Sequence, residues 1–235
     1  MRYLLNRIQD LIYPRRCAFC DRPLRKDETG ACEDCKKKLC YIPEPVCLCC
    51  GKPVMRGEEK CLDCKEKNHI FTAGRFPLSY EFAREGIYRF KYNNRKEYGA
   101  FYAASIMERW GEWLKGLHPE ALIPVPLHEK KLRKRGYNQA EILSRELSKL
   151  LLVPTDNSVV KRVRNTIPQK LFSRKQRQIN MKKAFIVSEN SVKYEKVLVV
   201  DDIFTTGSTI DSISRELKLS GVREVYFITA TGAGT

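Results

Sequence analysis

The chain has 235 residues, 43% of them hydrophobic and 31% charged, which is enough for one large domain or a medium domain with a small companion. A formal net charge of +16 points to polyanionic partners, either nucleic acid or phosphorylated small molecules, with an acidic membrane surface as a third option. No apolar run of about eighteen residues occurs, so neither a transmembrane helix nor stable membrane insertion is expected.

Residues 1–13 place Leu4, Leu5, Ile8, Leu11 and Ile12 on one helical face ahead of Pro14, with Arg2 and Arg7 interrupting it. That pattern predicts a short amphipathic helix packed on the body or on a partner, not a signal peptide. A cytoplasmic location follows, where cysteines are reduced or metal-bound and not paired as disulfides.

All ten cysteines lie between Cys17 and Cys64, and the segment repeats. Cys17-x-x-Cys20 and Cys32-x-x-Cys35 are followed by Cys47-x-x-Cys50 and Cys61-x-x-Cys64, a copy that starts thirty residues on and is one residue shorter. Pro23 and Pro53 stand at equivalent places after the first pair of each copy. Two residues between thiolates let a tight turn aim both sulfurs at one ion, and two such turns close a tetrahedral four-cysteine zinc site. The expectation is two structural zinc ions, paired within each copy; pairing across copies uses the same eight cysteines. An iron–sulfur cluster is the alternative cofactor, and disulfides rank below both. Cys40 and Cys49 are left over, Cys49 aligning with Phe19 of the first copy. A unit of some sixty residues builds little core, and metal supplies the missing stability. The composition shift after Cys64 divides the chain into 1–68 and 69–235.

Beyond that boundary, residues 70–80 read as extended with Gly74 as a turn. Residues 81–93 and 96–115 read as helices, the second with an apolar face of Phe101, Ile106, Trp110, Trp113 and Leu114. Ala121–Pro126 is a short buried strand ending in a proline-stiffened loop. Asn138-Gln-Ala-Glu141 resembles a capping box that opens a helix carrying Leu143, Leu147 and Leu150. Residues 157–188 hold nine Lys or Arg and no acid. Lys196–Val200 is a buried strand, Ser208–Ser220 a helix with Ile210, Ile213 and Leu217 inward and Gly221 as its stop, and Val222–Thr229 a final strand. Strands alternating with helices predict an α/β fold with a parallel sheet flanked by helices.

The most specific stretch is Val197-Leu-Val-Val-Asp201-Asp202-Ile-Phe-Thr205-Thr206-Gly207-Ser208-Thr209. Ligands of parallel α/β sheets gather at the carboxyl ends of strands, where this sequence puts two carboxylates. The loop that follows leads into a helix N-terminus, whose N–H groups and dipole suit a phosphate. Thr205, Thr206, Ser208 and Thr209 supply hydroxyl donors, and Gly207 permits close backbone approach. Asp201 and Asp202 suit the two hydroxyls of a ribose. No Gly-x-Gly-x-x-Gly and no Gly-Lys-Ser/Thr motif competes for the nucleotide role.

This run resembles the 5-phosphoribosyl-1-pyrophosphate (PRPP) signature of type I phosphoribosyltransferases. Pro124-Val-Pro-Leu-His128, then Arg133-Lys-Arg-Gly-Tyr-Asn-Gln139, together with the paired cysteines, resembles the ComF competence-protein family; the likeness covers nearly the whole chain from Cys17. The resemblance implies a small N-terminal zinc-binding module followed by a type I phosphoribosyltransferase-like domain. It implies Mg-PRPP as ligand and a role in natural transformation with single-stranded DNA, beside a competence helicase of the ComFA type and a DNA-processing protein. On the family fold, the loop after the first strand meets the pyrophosphate, making Arg133, Lys134 and Arg135 candidates, with Asn138 and Gln139 near. A solvated basic face is the alternative reading of those cations. The second basic run would hold the mobile hood that closes on PRPP. There Lys170 or Lys175 is a candidate for stabilising the leaving group, and Lys170, Arg174, Lys175 and Arg177 for phosphate contacts to a nucleic acid, salt-sensitive and sequence-blind.

Two function classes remain side by side. One is phosphoribosyl transfer from Mg-PRPP to an acceptor the sequence does not identify. The other is a non-catalytic DNA- and protein-binding scaffold on the same fold. Purine salvage is disfavoured, since it needs no pair of four-cysteine modules.

Overall fold

The computed structural model describes residues 14–163, 184–187 and 193–233. The expected helix over residues 1–13 and the hood residues Lys170, Arg174, Lys175 and Arg177 lie outside the described residues.

Two small cysteine ribbons come first. Each closes with a one-turn helix, α1 (Glu33–Lys37) and α2 (Leu62–Glu66). Strands β1 (Ala73–Arg75) and β2 (Leu78–Ser79) follow, then helices α3 (Tyr80–Tyr92) and α4 (Tyr98–Leu117). Strand β3 (Ala121–Pro124) leads to α5 (Glu129–Arg135) and α6 (Gln139–Leu151). Strands β4 (Val160–Arg162) and β5 (Phe185–Val187) pair antiparallel beside the main sheet. The chain ends through β6 (Lys196–Phe204), α7 (Ser208–Leu219) and β7 (Glu224–Gly232).

The main sheet is parallel throughout, in the order β1-β7-β6-β3, with β2 also pairing β7. Alternation along its strands feeds two cores, one on each face. Leu122, Leu198, Val200, Ile228 and Ala230 point toward α3, α4, α6 and the first ribbon. Ile123, Val197, Val199, Val225 and Phe227 point toward α7 and the second ribbon. The strands therefore read as unbroken apolar runs, because neither face meets water.

The ribbons are part of these cores. Phe19 of the first ribbon packs against Phe82 and Phe101, with ring centroids 4.8 and 5.1 Å apart. Its backbone carbonyl accepts from Arg89 on α3 at 2.9 Å, and Asp21 takes a two-point contact from Arg95 at 2.8 and 2.9 Å. The second ribbon docks on the edge strand β1: Gly74 N–H donates to the Cys49 carbonyl at 2.8 Å. The buried Arg75 guanidinium donates to the carbonyls of Cys47 and Leu48, each at 3.2 Å.

Three local expectations change. Gly74 sits inside β1 and makes no turn; its missing side chain leaves room for the Phe227 ring, which an added Cβ would meet at 2.1 Å. The basic stretch after β3 is a two-turn helix, α5, capped by the His128 side chain, which accepts from Lys130 N–H at 3.2 Å. Strand β6 continues past Val200 to Phe204, because Asp201 and Ile203 keep pairing with Thr229 and Thr231 of β7. The Asn138 cap forms as expected: its side chain accepts from Ala140 N–H at 3.1 Å.

Gly74→Ala forces a methyl group into a close-packed aromatic ring. It is expected to destabilise the chain by about 1–3 kcal/mol, the usual cost of overpacking; a denaturation midpoint equal to the wild type's would contradict this packing.

Candidate functional site

The cysteines form two separate clusters, Cys17–Cys20–Cys32–Cys35 and Cys47–Cys50–Cys61–Cys64, with the sulfurs of each within 4.8 Å of one another. Pairing is therefore within each repeat, not across repeats. Backbone N–H groups already point at the sulfurs, Cys32 N–H to Cys17 Sγ at 3.4 Å and Cys50 N–H to Cys47 Sγ at 3.5 Å. Burial pushes the Cys17 thiol up, but the N–H groups of Cys20, Cys32 and Phe19 outweigh it and hold it at about 7. The Cys50 side chain and surrounding N–H groups bring Cys47 down to about 4. Four sulfurs without an oxygen donor suit zinc and leave no open position for catalysis. Cys40 is exposed and Cys49 half-buried, and neither joins a cluster.

Beyond the ribbons, β6 carries Asp201 and Asp202 within the strand, their side chains alternating to opposite faces. The Asp201 carboxylate accepts from Asp202 N–H at 2.8 Å. Asp202 is buried and meets Lys91 Nζ of α3 at 3.0 Å. After Phe204 the chain turns through exposed Thr205 and Thr206 to Gly207, whose φ of 72° is in the left-handed region. Ser208 then opens α7, and Thr206 and Ser208 share a hydroxyl contact at 2.9 Å. The first N–H groups of a helix have no acceptor within it, so the loop presents donors to an anion.

Lys91, Lys131 and Arg162 act on the acid pair, and Arg135 stands next to Lys131. Lys91 comes from α3, Lys131 and Arg135 from α5, and Arg162 from β4. Partial desolvation lowers the Lys131 ammonium's pKa, and Arg162, Arg135 and Lys91 lower it further, although the side chain is largely exposed. Burial likewise lowers Arg162, opposed by attraction to Asp201. Lys131 is thus repelled by its neighbouring cations, while Lys91 is paired with Asp202.

Of the predicted pyrophosphate residues, Arg133 and Lys134 lie on the exposed face of α5, with Arg133 3.6 Å from Glu129. Arg135 donates to Gln139 Oε1 at 3.0 Å and to the Tyr92 hydroxyl at 3.1 Å. Asn138 and Gln139 are buried, donating to the carbonyls of Val125 and Phe90 at 3.0 and 3.2 Å. Lys91, Lys131 and Arg162 escaped the sequence reading. The two lysines lie on helices whose pattern only marks solvent-facing positions, and Arg162 belongs to a basic run read as hood.

Residues 8–65 match the double zinc ribbon domain and residues 132–234 the phosphoribosyl transferase domain. Competence protein F of Haemophilus influenzae is 36% identical over 223 residues, 89% of this chain and 93% of that protein. The chain belongs to the ComF competence-protein family. Other ComF relatives include DNA utilization protein YhgH of Escherichia coli K12, 28% identical over 92% of this chain and 96% of its own, and competence protein ComFC of Bacillus subtilis, 24% identical over 87% and 89%. Among solved structures, the B. subtilis glutamine PRPP amidotransferase aligns with 60% of this chain and 30% of its own, at 16% identity and a TM-score of 0.38. The adenine phosphoribosyltransferase of Leishmania tarentolae aligns over 59% of each chain, at 13% identity and a TM-score of 0.38. This ComF chain thus spans less than two thirds of either solved protein. Among its described residues no helix is long and apolar enough to cross a membrane.

The acid pair gives this ComF chain a pH signature. Burial first, then repulsion from Asp202, push the Asp201 carboxyl up to about 7, against the pull of Lys91 and Arg162. A carboxyl raised in the folded chain holds its proton longer there than when unfolded. Its contribution is full below the unfolded value near 4 and is lost as pH rises to about 7. Asp201→Asn removes that ionisation and keeps an acceptor for Asp202 N–H. It is expected to melt roughly 2–4 °C above the wild type near pH 8, the shift that about 1 kcal/mol gives in a chain this long, with no such gain near pH 4. Equal melting offsets at both pH values would show that Asp201 is not strained by its charge.

Proposed function

We propose that this protein binds Mg-PRPP across the end of β6 and works on single-stranded DNA in natural transformation. The observation that carries the first part is the set of cations at Asp201 and Asp202, with Lys91 3.0 Å from Asp202, Lys131 and Arg162 near the pair and Arg135 next to Lys131, just ahead of the Thr205–Thr209 loop. In this reading the carboxylates accept from the ribose hydroxyls. Thr205–Thr209 take the 5′-phosphate, and the four cations face the pyrophosphate. The magnesium ion that travels with PRPP neutralises pyrophosphate charge and eases its departure. Phosphoribosyl transfer to an acceptor is then the enzymatic form of the proposal, and a PRPP-holding scaffold the non-catalytic form. Release of pyrophosphate on addition of a nucleobase separates the two.

A second surface supports the nucleic-acid part. Tyr88 and Tyr92, one turn apart on α3, are 56% and 50% exposed with ring centroids 5.0 Å apart. The Arg135 guanidinium lies 4.9 Å over the Tyr92 ring. Exposed aromatics interleaved with cations accept stacked bases and backbone phosphates of a single strand. The thiolate ligands need a reducing compartment, so the proposed setting is the cytoplasm. The helicase and DNA-processing protein implied by the family are the proposed protein partners.

Calorimetry with Mg-PRPP should show binding by the wild type and none by an Asp201→Asn/Asp202→Asn double variant, with ribose 5-phosphate as control. A folded, zinc-loaded wild type that ignores PRPP would end the ligand proposal. Separately, Tyr88→Ala/Tyr92→Ala is expected to weaken binding of a fluorescent single-stranded oligonucleotide by about tenfold or more, since stacking contributes about 1–3 kcal/mol per base. Unchanged anisotropy curves would move the strand elsewhere on the protein.

A further inference from the structure

The chain leaving the second ribbon does not run free to the sheet. Just past Cys64, residues 67–70 close on Asp211, in the first turn of α7. The Lys67 ammonium stands 2.7 Å from Asp211 Oδ2, and His69 Nδ1 is 2.9 Å from the same oxygen. Ile70 N–H donates to Asp211 Oδ1 at 2.9 Å. Asp211 therefore has both oxygens engaged by one four-residue segment, with its side chain only 10% exposed.

The same segment touches the phosphate-type loop itself. Lys67 Nζ donates to the Thr206 carbonyl at 3.2 Å. The His69 ring, 3% exposed and stacked on Phe71 at 4.5 Å, lies where a Cβ on Gly207 would meet it at 2.9 Å. Asp211 N–H in turn donates to the Gly207 carbonyl at 2.7 Å. Burial raises the Asp211 carboxyl, but His69, Lys67 and the Ile70 N–H outweigh it and hold it below the usual carboxylate range.

From this geometry we propose that the second zinc ribbon sets the conformation of the 205–209 loop, with Lys67, His69 and Asp211 as positioning residues for the 5′-phosphate site. This rests on the reading of that loop as a phosphate site. The ribbon is held at both ends: Arg75 and Gly74 of β1 fix its knuckle, and Asp211 fixes its exit. Zinc bound by Cys47, Cys50, Cys61 and Cys64 fixes α2, and α2 fixes where Lys67 begins: Lys67 N–H donates to the Asp63 carbonyl at 3.0 Å, and Cys64 lies between them. Loss of that metal frees the segment that holds the loop in shape. The zinc there is thus coupled to ligand affinity at a second site, which by linkage makes phosphate binding favour zinc retention.

The test compares wild type with Lys67→Ala, Asp211→Asn, Asp211→Ala and Cys61→Ser in two titrations, ribose 5-phosphate and magnesium pyrophosphate. Positioning predicts that Asp211→Ala and Cys61→Ser weaken ribose 5-phosphate by about tenfold, within the usual range of site-to-site coupling. Lys67→Ala, at a half-exposed side chain, should weaken it less, and Asp211→Asn should restore part of the loss. Pyrophosphate, which meets the cation cluster and not this loop, should bind all folded variants as it binds wild type. A general loss of stability would weaken both ligands together and overturn the proposal, as would unaltered ribose 5-phosphate binding by Lys67→Ala and Asp211→Ala. Amide exchange across 205–210 decides the case even if the wild type takes neither ligand. Faster exchange in Lys67→Ala and Cys61→Ser upholds the positioning role while the phosphate-site reading falls; unchanged exchange rejects the positioning role.

Discussion

Two adjacent carboxylates on a strand covered on both faces pose an electrostatic problem that the surrounding elements answer. Asp201 and Asp202 lie where solvent screens poorly, so one proton or several cations must compensate them. The sequence around them supplies no cation: between Val197 and Thr209 there is no Lys or Arg. The compensating charges arrive from α3, α5 and β4, elements separated from β6 by tens of residues. Placing those elements correctly is the same task as neutralising the acid pair.

The ribbons perform much of that placement. The first is bonded to α3 through Arg89 and Phe19, and α3 carries Lys91 to Asp202. The second is bonded to β1 and to Asp211, next to the loop that follows the acids. A unit of this size has too little apolar surface for a core of its own. Here its buried cysteines complete the two cores of the larger fold, so metal binding and sheet packing stabilise a common structure.

The cysteine repeat and the strand–Asp-Asp–loop–helix element were legible because each is local: a tight turn needs its ligands two residues apart, and a sharp strand-to-helix turn needs small residues beside the strand end. The alternation of strands and helices was legible for the same reason, as were Ile210, Ile213 and Leu217 on the inner face of α7. The contacts that complete the site were not. Lys91 and Asp202 are 111 residues apart, and His69 and Asp211 are 142 apart. Neither member of either pair stands in a pattern that names the other. Gly74 misled because glycine marks both turns and places where a neighbour's ring needs space; only the position of Phe227 decides between them. The stretch after β3 misled because its charges describe solvent exposure equally well on a loop and on a short helix.

Arg135 shows why charge alone could not assign that stretch. Its guanidinium covers Tyr92 on the outer surface and also contributes to the repulsion felt by Lys131 beside the acid pair. Under the proposed reading the strand-binding surface and the diphosphate pocket share this one cation, anchored by its bond to the buried Gln139.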